Sequence, residues 1–77
     1  DILVFPNPSY GREVAISNRS GYSIDSYRMY DVSGKLVSEN MRTRGNTIYA
    51  TLPDRKGIYF IEAWSRGVRV TKQVLKL

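Results

Sequence analysis

Cysteine and histidine are both absent from this chain of 77 residues. Without cysteine no disulfide can stabilise the fold, and a disulfide-free domain is compatible with the cytosol or the periplasm. Without histidine the commonest general base is missing, and the lack of both residues excludes thiol nucleophiles and most transition-metal sites. No P-loop or dinucleotide-binding glycine motif occurs. We therefore expect a recognition domain that is not an enzyme and uses no cofactor.

Long hydrophobic runs are also missing. No segment approaches the ~20 apolar residues that span a bilayer, and none has the organisation of a signal peptide. A chain of this length forms one small domain, which buries only roughly 60–65% of its unfolded surface and depends on hydrophobic packing. The chain begins at Asp1 and not at methionine. We expect residues 1–77 to be one domain cut from a larger protein.

Acidic residues are scarce in the second half of the chain. Residues 1–40 contain four Lys/Arg and five Asp/Glu, whereas residues 41–77 contain eight and two, and the formal net charge is +5. Such asymmetry suits an acidic partner, for example nucleic acid or an anionic membrane surface. The basic residues occur singly and never as a run, so we favour the simpler interpretation that they solvate exposed strand faces and edges.

Alternation of apolar and polar residues is the main structural signal, and helical periodicity is weak. Val14 and Ile16 alternate with polar neighbours, as do Ile48, Ala50 and Leu52. Turn-forming residues separate such segments and predict seven strands near 1–5, 12–17, 23–30, 35–40, 46–52, 57–64 and 68–76. Turns at roughly 8–12-residue spacing, with no helix between them, predict an all-β fold, an immunoglobulin-like antiparallel β-sandwich.

Several local features refine this prediction. Ile24 and Tyr27 have opposite parity, so the third strand has a bulge near residues 25–26 or the preceding loop extends that far. The segment 58–61 is the most hydrophobic and is expected to be a central strand. Trp64 is expected to close that strand at the rim of the sandwich. Prolines at positions 6 and 8 stop the first strand and favour either an edge position for it or a departure of the chain from the sheet.

Three turns have a clear physical basis in the sequence. Asp31 starts a type I turn in which its carboxylate accepts backbone N–H groups, and Gly34 occupies the left-handed position of the following bulge. Pro53 presets the next turn, which Asp54 helps to close. Asp31 and Asp54 could also bind calcium together, but two carboxylates are too few, and turn capping is the preferred interpretation.

Three motifs in this order resemble those of one protein family. Residues 4–8 (V-F-P-N-P) look like its opening V-Y-P-N-P, and residues 29–37 (M-Y-D-V-S-G-K-L-V) resemble I-Y-D-x-x-G-K/R-x-V. Residues 52–61 resemble L-x-x-G-x-Y-x-x, and a terminal strand with K-Q-V-L-K at 72–76 follows. The whole chain thus resembles the type A C-terminal sorting domain of proteins exported by the type IX secretion system of the Bacteroidetes. The motif residues at the turns are Pro6, Asn7, Pro8, Asp31, Gly34, Lys35, Gly57 and Tyr59.

The resemblance implies a function in export. Such domains are small immunoglobulin-like sandwiches at the C-terminus of a larger cargo protein. They are recognised in the periplasm and passed through the outer-membrane translocon. A sortase-like peptidase then commonly removes them, near or before Asp1 in this numbering, and the cargo is released or joined to the cell surface. The implied partners are therefore the type IX translocon, the peptidase and an N-terminal cargo domain, without nucleic acid and without a transmembrane segment.

The terminal segment is the candidate recognition site. An exposed terminal strand can pair its free backbone groups with a partner sheet while alternate side chains enter pockets. An isolated fold gains little from an apolar terminal residue. We therefore hypothesise that the translocon reads the last six residues: Lys72, Gln73, Val74, Leu75, Lys76 and Leu77.

Two other functions compete with this interpretation. The first is an immunoglobulin-like module that binds carbohydrate or a surface protein. It would use an exposed aromatic platform formed by Tyr10, Tyr22, Tyr30, Tyr49 and Trp64. The second is a small basic barrel for single-stranded nucleic acid, in which arginines contact phosphates and tyrosines stack on bases.

Overall fold

The computed structural model describes all 77 residues and contains seven strands and no helix. The strands are β1 Ile2–Phe5, β2 Glu13–Asn18, β3 Ser26–Tyr30, β4 Leu36–Asn40, β5 Thr47–Thr51, β6 Gly57–Ser65 and β7 Val68–Lys76. They form a three-stranded sheet in the order β1-β2-β5 and a four-stranded sheet in the order β4-β3-β6-β7. All neighbours within each sheet are antiparallel. The predicted all-β sandwich of seven strands is confirmed. No helix is present that could cross a membrane.

The predicted strand boundaries agree with the structure to within one residue, except at β3, which begins at Ser26. The loop before β3 extends to Asp25, so the second of the two explanations for the parity of Ile24 is correct. Ile24 is nevertheless completely buried, because its loop position directs the side chain into the core. The irregularity of β3 lies later, between Met29 and Tyr30 in the pairing with β4.

The core lies between the two sheets and contains thirteen buried apolar side chains. Successive side chains of a strand point to opposite faces, so each strand contributes every second residue to this layer. Full burial of one aliphatic side chain contributes about 1.5–3 kcal/mol to folding. The largest fully buried apolar side chains are Ile16, Ile24, Met29, Leu52 and Ile61. As predicted, β6 is a central strand and β1 is an edge strand.

The irregularity in the pairing of β3 with β4 decides which side chains of β4 face solvent. Met29 pairs with Ser38 and Tyr30 pairs with Leu36, so Val37 is the extra residue. Val37 packs against the core, whereas Leu36 is exposed on the outer face of the four-stranded sheet. The outer face therefore carries Leu36, whereas uninterrupted alternation would turn Val37 outward and Leu36 toward the core.

The antiparallel arrangement gives the sandwich two ends of different composition. One end contains the loops 6–12, 31–35 and 52–56 together with the C-terminal Leu77; we call it the motif end. The other contains Asp1 and the loops 19–25, 41–46 and 66–67; we call it the N-terminal end. The domain measures 31 × 21 × 17 Å. All three sequence motifs thus reach the end of the sandwich that is opposite to Asp1.

Candidate functional site

The side chain of Asn7 is bonded to the terminal strand β7. Its amide nitrogen donates to the backbone carbonyl of Gln73 at 2.9 Å, and its amide oxygen accepts from the backbone N–H of Leu75 at 3.0 Å. One carboxamide thereby forms both of the bonds that a backbone peptide of a neighbouring strand would form. The turn at residues 6–8, in which both X-Pro bonds are cis, presents Asn7 to β7.

Ser9 continues this contact toward the C-terminus. Its backbone N–H donates to the carbonyl of Leu75 at 2.8 Å, and its carbonyl accepts from the N–H of Leu77 at 2.8 Å. Ser9 is completely buried and forms a parallel bridge with Lys76. Asn7 and Ser9 together cover the outer edge of β7; we call this arrangement the edge clamp.

Because of the edge clamp, the terminal segment has fewer free backbone groups than the sequence predicted. The prediction of free backbone groups is wrong for Gln73 O, for both groups of Leu75 and for Leu77 N, because Asn7 and Ser9 already bind them. The prediction failed because Asn7 lies 66 residues from Gln73 in the sequence. The role of this segment in recognition stays a prediction.

The six candidate residues differ in how far their side chains are accessible. Val74 is completely buried in the core, and Lys76 is buried with its ammonium group donating to the carbonyl of Gly11. These two residues hold the strand in place and cannot contact a partner of the folded domain. Solvent reaches the other four side chains, those of Lys72, Gln73, Leu75 and Leu77.

The first half of β7 has unpaired backbone groups along its outer edge, a feature that was not predicted from the sequence. In an antiparallel ladder the backbone groups of alternate residues point to the same side. Those of Leu75 and Leu77 point away from β6, and Arg69 and Thr71 share their parity. Because β7 is the last strand of its sheet, no strand lies on that side of Arg69 and Thr71. On β7, the outward backbone groups of this half are therefore free to pair with a partner strand.

The Asp31 turn has the predicted geometry. The N–H of Gly34 donates to the carbonyl of Asp31 at 3.0 Å, and Gly34 has a φ of 86°. The Asp31 carboxylate accepts from the Ser33 hydroxyl at 2.6 Å, from the Ser33 N–H at 2.9 Å and from the Lys35 N–H at 3.1 Å. The hydrogen bond from the Ser33 hydroxyl is the main reason that the pKa of Asp31 is lowered, and the two backbone N–H groups act in the same direction.

The loop before β6 is fixed by the tyrosine of the third motif. Tyr59 is buried, and its hydroxyl donates to the carbonyl of Arg55 at 2.6 Å. Gly57 begins β6 with a φ of 145°, which favours glycine. Asp54 forms a surface ion pair with Arg12 at 3.1 Å, and its carboxylate accepts no hydrogen bond from its own turn, contrary to the prediction. No three His, Cys, Asp or Glu side chains lie close enough to hold a metal ion, so nothing adds to the calcium hypothesis.

A groove separates the Asp31 turn from the loop at residues 53–57. It has a volume of about 630 Å³. Four of the eight motif residues line it: Asp31, Lys35, Gly57 and Tyr59. Its cations are Lys35, Arg55 and Lys56, and none of them has a carboxylate within salt-bridge distance. We call it the basic groove.

The aromatic residues do not form the platform that the competing carbohydrate-binding function requires. Tyr49 lies on the outer face of the three-stranded sheet, whereas Tyr30 and Trp64 lie on the outer face of the other sheet. Tyr22 is at the N-terminal end, where Arg66 stacks on its ring at 4.0 Å. Tyr10 is in the loop 6–12 at the motif end. The five side chains are therefore distributed over separate surfaces, because the segments that carry them belong to different sheets and to opposite ends of the sandwich.

The fold and the motif end define a small β-sandwich whose three sequence motifs meet at one end, where the terminal strand also ends. The sequence profile of the family described as "secretion system C-terminal sorting domain" matches residues 3–76. The chain belongs to this family and is a C-terminal sorting signal for type IX secretion. No curated protein matches the chain.

Membership of this family indicates what kind of protein the domain is, what it acts with and where its cargo goes. Sorting domains are not a family of enzymes. They act on an N-terminal cargo together with the type IX secretion machinery, and the cargo is secreted or placed on the cell surface.

Proposed function

We propose that residues 1–77 form the C-terminal domain of a larger cargo protein and that the type IX translocon reads the folded domain in the periplasm through the exposed side chains of its terminal strand. A sortase-like peptidase then removes the domain near or before Asp1. The observation that carries this proposal is the convergence of all three motifs and Leu77 at one end of the sandwich.

The position of Asp1 supports separate contact sites for the translocon and the peptidase. A cargo attached at its N-terminus extends from the N-terminal end, on the far side of a domain 31 Å long. The motif end then points away from the cargo, so that cargoes of different size leave it accessible. A peptidase that cuts near Asp1 works at the opposite end from the surface that the translocon contacts.

The edge clamp supports recognition of an ordered segment. A terminal peptide that is free in solution loses conformational entropy when it binds, whereas a preorganised one loses less. Asn7 and Ser9 fix the backbone from Gln73 to Leu77, and Val74 and Lys76 anchor it from the interior. The exposed side chains are thus presented in one arrangement before the partner arrives.

A reporter fusion tests the proposal. The 77 residues are fused behind a reporter that carries an inner-membrane export signal, in a cell with a working type IX system, and surface delivery is measured. We expect the fusion to be delivered and the reporter alone to remain in the periplasm. Periplasmic retention of the intact fusion contradicts the proposal.

The terminal strand is then tested by point substitutions. Deletion of residues 74–77 is unsuitable because it removes two buried side chains, those of Val74 and Lys76, and is expected to unfold the domain. Lys72→Glu and Leu77→Asp alter exposed side chains, and Val68→Asp is the matched control on the same strand at the N-terminal end. We expect the first two to lower delivery and the control to leave it unchanged. Normal delivery of both terminal variants, with thermal unfolding unaltered, contradicts recognition through this strand.

A further inference from the structure

An apolar strip crosses the outer face of the four-stranded sheet at the motif end. Leu36 of β4 pairs with Tyr30 of β3, which pairs with Phe60 of β6. Ile58 of β6 pairs with Leu75 of β7 one row closer to the end. These five side chains come from four adjacent strands and share one face; together we call them the apolar strip.

The apolar strip is exposed in the domain alone. Leu36 is 41% exposed, Phe60 is 37% exposed and Leu75 is 38% exposed, although each lies on a regular strand. An outer sheet face that only meets water carries polar residues at such positions. The next row of the same face does so, with Glu39, Arg28, Glu62 and Thr71 side by side. Contiguous exposed apolar side chains that end at a polar boundary mark an interaction site.

Apart from two ion pairs, the charges beside the apolar strip are mainly positive. On this face Glu39 is paired with Arg28 and Glu62 is paired with Arg69, each at 3.3 Å. The basic groove adjoins the strip through Ile58, which lines both. Its three cations have no carboxylate partner, and the Asp31 carboxylate is engaged in its own turn. With three cations and one carboxylate, that of Asp31, the lining of the basic groove has a net charge of +2.

We infer that the apolar strip and the basic groove form one docking surface for a protein of the secretion machinery, whose contact surface has an apolar centre and carboxylates at its rim. The carboxylates enter the groove and contact Lys35, Arg55 and Lys56, while apolar side chains cover Phe60 and Leu36. This inference rests on the proposed function and extends it from the terminal strand to a surface built by four strands and two loops.

The geometry favours a protein over the other occupants. A second copy of the chain would bring two basic grooves together, and like charges across an interface cost several kcal/mol. A membrane requires apolar groups that enter about 5–10 Å into the lipid. The strip lies flat on a sheet, with three side chains about two-fifths exposed and those of Tyr30 and Ile58 half-buried, so it fits a flat protein surface.

Photo-cross-linking identifies the occupant. A photoreactive phenylalanine analogue replaces Phe60 or Leu36 in the reporter fusion within type IX-competent cells. Tyr49 is the matched control, since it is 64% exposed on the outer face of the other sheet. We expect positions 60 and 36, but not 49, to cross-link to a protein of the outer-membrane secretion machinery. Cross-links to lipid, to a second copy of the chain, or equally from position 49 overturn the inference.

Substitutions test the contribution of each half of the surface. Phe60→Ser with Leu36→Ser removes apolar contact, and Arg55→Glu with Lys56→Glu reverses the charge of the groove. Arg42→Glu with Arg44→Glu is the matched charge control at the N-terminal end, where both residues are exposed. We expect either surface variant to lower delivery at least about tenfold, as loss of interface hot spots does, and the control to retain it.

The outcomes separate this inference from the proposed function. If the unaltered fusion is not delivered, the proposed function fails. If it is delivered, and folded variants of the strip and groove are delivered equally well, only the docking surface is wrong. Folding is checked by circular dichroism and thermal unfolding. Where a variant does not fold, the cross-linking experiment decides, because it changes only one side chain of the surface at a time.

Discussion

The side-chain amide of Asn7 donates to the carbonyl of Gln73, 66 residues further along the chain, and so joins the first turn of the domain to its last strand. The same carboxamide accepts from Leu75 N, and this pair of bonds takes the place of a strand that the sheet does not have. An unpaired edge strand is a template for non-specific association. Asn7 therefore covers part of the edge of β7, the strand that contains the proposed recognition segment.

Removal of the carboxamide should loosen the end of β7. Asn7→Ala eliminates two hydrogen bonds at an exposed site, for which we expect a loss of about 1–2 kcal/mol in the free energy of unfolding. The backbone N–H of Leu75 loses its acceptor, so its hydrogen exchange should become faster than that of Ile61 N–H in the adjacent strand. Chemical denaturation and amide exchange measure the two effects.

Asn7→Asp is the matched variant. A carboxylate keeps the acceptor for Leu75 N but has no hydrogen to donate to Gln73 O. We expect exchange at Leu75 to remain slower than in Asn7→Ala. Equal exchange rates in all three proteins would show that the edge clamp does not hold the strand.

Glycine is required at position 34 because of its backbone conformation. The added Cβ meets no atom within 4 Å, but φ is 86°, where a side chain is strained. Gly34→Ala should therefore lower the free energy of unfolding by about 1–2 kcal/mol. Gly11→Ala is the control, because Gly11 also has open space and no positive φ. A control as destabilising as Gly34→Ala would contradict the role of the left-handed turn.

The Asp31 turn should make stability depend on pH in the acid range. Its pKa is lower in the folded domain than the ordinary value of 3.8, so the charged carboxylate is favoured by folding. This contribution is fully present above the unfolded pKa, and it is lost as the pH falls through the folded pKa. The melting temperature of the wild type should exceed that of Asp31→Asn by a constant amount above about pH 5 and by less below pH 4. A difference that stays constant down to pH 2 would contradict the assignment.

The sequence predicted the strands and the Asp31 turn well because both are local. Alternation along Val14 and Ile16 reports which face is buried, and the spacing from Asp31 to Gly34 specifies a turn type. Pairings between distant segments were not predictable in this way. Neither the bonds of Asn7 to β7 nor the meeting of Lys35 with Arg55 in one groove follows from the residues near each of them.

The exposed leucine of β4 has a similar explanation. Simple alternation cannot tell that Val37 is the extra residue of an irregular pairing, so the outward direction of Leu36 becomes visible only in the register with Tyr30. The aromatic platform failed for the same reason, since parity assigns a side chain to a face but does not assign a strand to a sheet. The apolar strip depends on the outward direction of Leu36 and on the position of its four strands in one sheet, and alternation in the sequence reveals neither.

Val74 and Leu75 should separate stability from recognition, since they are neighbours on β7 with opposite environments. Val74 is completely buried, and Leu75 is 38% exposed in the apolar strip. Val74→Ala leaves a cavity in the core and should cost about 2 kcal/mol in the free energy of unfolding, whereas Leu75→Ala should cost less than about 1 kcal/mol. At a temperature where both variants are folded, delivery of the reporter should fall in Leu75→Ala and stay near normal in Val74→Ala. Delivery that follows stability instead, with Val74→Ala the more impaired, would mean that the translocon reads only the folded state and not the side chains at the end of β7.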